Sequence, residues 1–206
     1  MEESGFVTFV VEGQLDQIVA RKLISATSIN NYYFIVKRGK KQILERLYKF
    51  NNTCKSMRQP WIVLMDLDND AECAPVYLEE KLPAPAADMF LRLAVQEVES
   101  WLLADRQGIA KFLGVSEEHV PKEVEKIQKP KRTLIDIARK SRRRDIKGMV
   151  PQPGSSGVQG KEYNSIMSEF VLSYWKPDSA SENADSLLRF LKVLERIEKN
   201  EHIRKE

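Results

Sequence analysis

Short unbroken apolar runs alternate with segments of helical period through the first hundred residues. The run Gly5-Phe6-Val7-Thr8-Phe9-Val10-Val11 is β-branched and aromatic, and Glu12-Gly13 follows it. Leu15, Ile18, Val19, Leu23 and Ile24 then recur at helical spacing, so the pattern predicts strand, tight turn, helix. Tyr32 to Val36 is a second strand-like run. It ends in the basic loop Lys37-Arg38-Gly39-Lys40-Lys41, after which Ile43, Leu44, Leu47 and Tyr48 mark a second amphipathic helix. Pro60 opens a third run, Trp61 to Met65, which ends in Asp66-Leu67-Asp68-Asn69-Asp70. A helix is expected over 73–81 and a fourth strand over 89–95, before Glu97-Val98-Glu99-Ser100-Trp101. Nearly continuous apolar strands separated by helices are what a mainly parallel sheet covered on both faces requires. Residues 1–105 are therefore expected to form a Rossmann-like α/β domain, whose ligands bind outside the carboxyl ends of the strands.

After Leu103 the helical period takes over, with helices expected over 106–113, 131–141, 161–173 and 184–199. Pro151 to Gly160 holds too many Pro, Gly and Ser residues to be regular and reads as a surface linker or an active-edge loop. Residues 106–206 are thus expected to be a helical, basic extension packed on the first domain.

Composition narrows the class. At 206 residues, 42% hydrophobic and 31% charged, the chain is long enough to bury its own core. No apolar run approaches the roughly 18 residues of a membrane span, and the start MEESGFVTF is acidic where a signal peptide is basic. A cytoplasmic protein is expected, with Cys54 and Cys73 as ordinary thiols. The two cysteines, Cys54 and Cys73, sit in no recognisable metal-ligand or nucleophile motif with the two histidines. Residues 1–100 carry 12 Lys and Arg against 14 Asp and Glu, whereas 101–206 carry 21 against 16. The basic excess peaks between Lys122 and Lys147, around Arg142, Arg143 and Arg144, and such a patch suits a polyanion as well as plain solvent.

The chemistry-bearing residues lie at the expected carboxyl edge. If the chain stays extended after the third strand, Asp66 and Asp68 project on one side and can share a hard cation. Glu12, ending the first strand, can converge on the same edge. Three carboxylates around Mg²⁺ or Mn²⁺ make a phosphoryl-transfer site, whereas an isolated Asp-x-Asp more often caps a helix or occupies a turn. Lys37, Arg38, Lys40 and Lys41 share that edge, placed to neutralise phosphates or simply to solvate a turn.

Phe9-Val10-Val11-Glu12-Gly13-Gln14-Leu15-Asp16 followed by Met65-Asp66-Leu67-Asp68 resembles the Toprim domain of topoisomerases, primases and overcoming-lysogenization-defect nucleases. Ala94 to Asp105, Lys129 to Arg132 and Glu162 to Pro177 extend the resemblance to small bacterial Toprim-like proteins often encoded beside an ABC- or AAA-type ATPase in candidate phage-defence loci. The resemblance implies that Glu12 is a metal ligand or general acid/base and that Asp66 and Asp68 are the metal-binding pair. It adds Asp16 as a further acidic residue. It offers Glu97 and Glu99 as second-metal ligands, a role that competes with capping the following helix.

The chain lacks a G-x-x-x-x-G-K-[ST] loop and a strand-passage tyrosine motif, so ATP dependence would come from a partner. The leading expectation is a Mg²⁺- or Mn²⁺-dependent nuclease acting on DNA or RNA, the effector of a separately encoded ATPase and possible homo-oligomer. A non-catalytic nucleic-acid- or ATPase-binding subunit and an enzyme of nucleotides or sugar nucleotides are the alternatives. Haloacid-dehalogenase phosphatases and receiver domains need acidic residues after the first strand that Glu12-Gly13 does not supply.

Overall fold

A computed structural model describes residues 6–71 and 73–203. Gly5, expected to open the first strand, lies outside them. The chain divides into two compact units, one formed by the residues up to Ala94 and from Arg189 onward, the other by Val95–Leu188.

The first unit holds a four-stranded, all-parallel sheet in the order β2-β1-β3-β4. Its strands are β1 (Val7–Val11), β2 (Tyr32–Val36), β3 (Trp61–Asp66) and β4 (Met89–Ala94), each within a residue or two of the apolar run that predicted it. The middle strands are buried along nearly their whole length, as a sheet covered on both faces demands. Register sorts the side chains by face: Phe34 pairs with Phe9, Phe9 with Ile62, and Ile62 with Phe90. Partners in a parallel ladder share a face, and this one is met by α1 (Gln14–Ile24), whose Arg21 guanidinium lies 4.8 Å from the Phe34 ring. It is also met by α10 (Asp185–Ile203), whose Arg196 lies 5.2 Å from the Phe90 ring. On the opposite face Trp61 stacks on Phe50 of α3 (Leu47–Met57), ring centroids 5.6 Å apart. The helix expected around 43–48 is divided: α2 (Lys40–Leu44) ends before Arg46, which leaves helical geometry at φ −116° and ψ 2°. α4 (Ala74–Lys81) fills the next crossover.

The second unit is helical: α5 (Val98–Ala104), α6 (Arg106–Leu113), α7 (Pro130–Ala138), α8 (Tyr163–Ser173), α9 (Pro177–Ser181) and the first turn of α10. Trp101, Leu134, Tyr163, Met167 and Phe170 are its fully buried side chains of note. Asp105 caps α6 by accepting from the Gly108 N–H at 3.0 Å, and its other oxygen accepts from the Lys176 N–H at 2.9 Å. Pro151 to Gly160 forms neither helix nor strand, in keeping with its breakers. Among the described residues no helix is long and apolar enough to cross a membrane.

Candidate functional site

In the first unit the connection from β1 runs to β2 on one side, while β3 lies on the other. The carboxyl ends of β1 and β3 therefore flank the switch point, where open parallel sheets leave a crevice. Glu12 and Asp66 sit there. The Asp66 backbone N–H donates to Glu12 Oε1 at 2.9 Å. The Gly39 N–H donates to the Glu12 carbonyl at 3.1 Å, tying the loop after β2 to the same edge. Gly39 takes φ +95° as it turns the chain into α2, a conformation that glycine adopts without steric cost.

That turn aims Lys40 inward. Its ammonium donates to Asp68 Oδ2 at 2.5 Å, to Asp70 Oδ2 at 2.7 Å and to the Leu67 carbonyl at 3.2 Å. The Lys40 side chain is 12% exposed against 46% for Asp68. Burial alone would lower the proton affinity of Lys40, but the hydrogen bonds to Asp68 and Asp70 outweigh it and hold the pKa above its ordinary value. Tyr77 of α4 completes the cluster, its hydroxyl 3.5 Å from Asp70 Oδ2.

Burial raises the Glu12 pKa above that of an ordinary glutamate. The Asp66 N–H and Lys40 pull it back, and the Asp68 charge pushes it up again. Glu12 thus shares one electrostatic environment with Lys40 and Asp68.

The chain does not stay extended after β3. Leu67 still pairs with β4 through its N–H to Ala94 O at 2.8 Å, but Asp68 turns to φ +53°, left-handed backbone that an aspartate tolerates better than most residues. The premise that Asp66 and Asp68 project together is therefore corrected: Asp68 is turned onto Lys40. Asp16, in the first turn of α1, is buried. A Cβ on Gly13 would lie 3.3 Å from its Oδ2, so the glycine of Glu12-Gly13 permits this close approach.

Of the basic loop, Arg38 and Lys41 are exposed and Lys37 is half-buried, while Lys40 is the counter-ion of the aspartates. In the second unit, the Glu97 carboxylate accepts the Lys131 backbone N–H at 2.6 Å at the start of α7. Glu99, 1% exposed, accepts the Tyr163 hydroxyl at 2.8 Å on Oε1, with the Lys131 ammonium 3.3 Å away. Its Oε2 has no hydrogen-bond partner. Arg143 is committed to its own fold, donating to the Phe112 carbonyl at 2.7 Å and pairing with Asp145. Arg142 and Arg144 are exposed.

Sequence reasoning missed the part of Asp70 in this cluster and the inward role of Lys40. Gly39 immediately before Lys40 is the signal that a turn there could redirect the lysine.

Hard carboxylate oxygens suit a hard divalent cation in kind, and the Lys40 ammonium marks where the cluster takes positive charge. Among the described residues, however, no three His, Cys, Asp or Glu side chains are gathered closely enough to hold a metal. Comparison with protein-family models, curated proteins and solved structures finds no match for the chain.

Proposed function

We propose that this chain is a cytoplasmic Toprim-like phosphodiesterase that cleaves DNA or RNA with Mg²⁺ or Mn²⁺, acting as the effector of a separately encoded ATPase in phage defence. The observation that carries this reading is the hydrogen bond joining Glu12 to Asp66 at the switch point, with Asp68 and a buried lysine in the same electrostatic field. As they stand the carboxylates are not gathered closely enough to hold a metal, so Glu12, Asp66 and Asp68 would hold the ion only once Lys40 releases Asp68. A bound divalent ion supplies neutralisation of phosphate oxygens and a more acidic coordinated water. Glu12, its proton affinity raised by burial, is suited to proton transfer. Lys37, Arg38 and Lys41 would hold flanking phosphates at the same edge, and Arg142 and Arg144 would add sequence-independent attraction.

The test is incubation of the full chain with plasmid, linear DNA and structured RNA under Mg²⁺ and then Mn²⁺, beside Asp66→Ala and EDTA controls. Cleavage lost in both controls is expected; cleavage that survives Asp66→Ala overturns the assignment.

One observation favours a second reading. The acidic cluster is already neutralised by Lys40, which fits a non-catalytic subunit that binds nucleic acid or its ATPase. Nucleic-acid binding without cleavage under any metal, with or without the ATPase, would select it.

A further inference from the structure

One strand of the sheet is not covered as the others are. β1 and β3 are buried along nearly their whole length, and β4 is buried at every position except Arg92. In β2, by contrast, Tyr33 is 57% exposed and Val36 43% exposed, while Tyr32, Phe34 and Ile35 are only half-buried. β2 is also an edge strand. Val7 donates to Asn31 O and Lys37 to Val11 O, so the odd positions of β2 bond to β1. The N–H and C=O groups of Tyr32, Phe34 and Val36 therefore point away from the sheet, and among the described residues no main-chain group meets that row.

An apolar edge of this kind is a template for another strand unless lysine, proline or a covering segment blunts it. The opposite edge is blunted. Trp61 donates to Asp88 O and Leu67 to Ala94 O, so the Leu91 carbonyl faces outward, and Arg92 bends back to donate to it at 2.8 Å. Copies adding head to tail, β2 of one to β4 of the next, would have to displace Arg92, and such contacts run on into filaments. β2 against β2 about a twofold axis closes after two chains.

The strand is complementary to itself. An antiparallel pair centred on Phe34 sets Phe34 against its own copy and Tyr32 against Val36 of the second copy, so the whole outward row is hydrogen-bonded within one register. Tyr33 then lies across from Ile35 of the second copy, an aromatic beside a β-branched side chain, which is a favourable cross-strand pair. These two occupy the face opposite Phe34, whose ring Arg21 already covers. Charge selects the same direction. β2 runs into the basic pair Lys37-Arg38 and starts after the uncharged Asn30-Asn31 and Ser28, whose N–H Glu198 holds at 2.7 Å. Antiparallel pairing sets each basic loop beside the other copy's asparagines, whereas parallel pairing would set the two basic loops together.

We propose that the free edge of β2 is an interface at which two copies of this chain join, antiparallel, into one continuous sheet. The proposal does not depend on the carboxylates at the switch point.

The test is sedimentation velocity of the full chain from roughly 1 to roughly 200 µM, the range in which a small interface associates. A monomer–dimer equilibrium is expected, with the mass rising from 23.8 kDa toward double that value. Tyr33→Lys and Val36→Lys put a cation on the edge at exposed positions, and each is expected to weaken the dimer roughly tenfold or more. Val158→Lys, at a site exposed to a similar degree outside the sheet, is expected to leave it unchanged. Amide hydrogen exchange reads the register: protection at Tyr32, Phe34 and Val36 should rise with concentration, while Tyr33 and Ile35, already bonded to β1, stay as they are. A dimer that both edge lysines leave intact, or one that forms without protecting those three amides, overturns the proposal. A chain that stays monomeric throughout also overturns it and leaves the edge to a strand of another protein.

Discussion

The backbone N–H of Asp66 donates to Oε1 of Glu12 at 2.9 Å across 54 positions of sequence. The bond uses the aspartate's main chain, so charge at either residue can be removed without breaking it. Glu12→Gln and Asp66→Asn are therefore expected to fold normally by circular dichroism and, on the proposed function, each to lose nuclease activity roughly 10²-fold or more. Activity within a few-fold of wild type in both variants would place the chemistry elsewhere.

Lys40 replaces solvent as the counter-ion of Asp68 and Asp70. In Lys40→Met the two carboxylates face one another with no cation between them, and since both are nearly half exposed the loss of stability is expected to be about 1 kcal/mol. Mg²⁺ is expected to stabilise this variant more than the wild type, read as the metal-induced shift in melting temperature. An equal shift in the two proteins would mean that Lys40 and the ion do not compete.

The sheet was legible because each strand is an apolar run bounded by turn residues, and burial on both faces leaves such a run little else to become. Trp61 to Met65 shows this well: Pro60 opens it, Asp66 closes it, and every residue between is buried. Glu12 and Asp66 were legible as edge residues for the same reason. Lys40 was not, because a lysine in a basic loop reads as solvated until the φ of Gly39 is known. Neither was the turn at Asp68, since left-handed backbone at an aspartate leaves no mark in the hydrophobic pattern. Glu99 was legible as an acid near a helix start, whereas its partners Tyr163 and Lys131 come from helices far along the chain, which periodicity cannot pair.

Tyr163 supplies a neutral donor to a carboxylate that is almost wholly buried. Tyr163→Phe leaves Glu99 Oε1 with Lys131 alone, and Oε2 already has no partner. The variant is expected to lose about 2 kcal/mol of stability, measured as a lower urea midpoint. Glu99→Gln in the Tyr163→Phe background is expected to recover part of that loss, since an amide costs less to leave half-satisfied than a carboxylate. A urea midpoint in Tyr163→Phe equal to that of the wild type would show that the hydrogen bond contributes nothing.

The two thiols differ in kind. Cys54 is 1% exposed and donates to Gln59 O at 3.3 Å, and burial pushes its pKa up to about 11. Cys73 is exposed. Since the thiolate is the reactive form, one equivalent of a disulfide reagent is expected to react quickly at neutral pH, with the second reacting only in denaturant. Mass spectrometry assigns the fast site; rapid labelling of Cys54 would contradict its burial.

Glu12 also gives the folded state a pH signature. Its pKa is raised, with burial the largest cause, above the ordinary 4.5, so over the window above that value the folded chain binds more protons than the unfolded one. Stability from this group is complete below 4.5 and is lost as pH rises through the folded pKa. Glu12→Gln removes the titrating charge while its amide oxygen can still accept from Asp66. In EDTA at neutral pH the variant is therefore expected to melt above the wild type by about 2 °C. The difference should close as the pH falls below the ordinary carboxylate range. Mg²⁺ is expected to reverse the order by stabilising only the protein that retains the carboxylate. A Glu12→Gln protein that melts below the wild type at neutral pH in EDTA would mean that the hydrogen bonds to the carboxylate outweigh the cost of burying it.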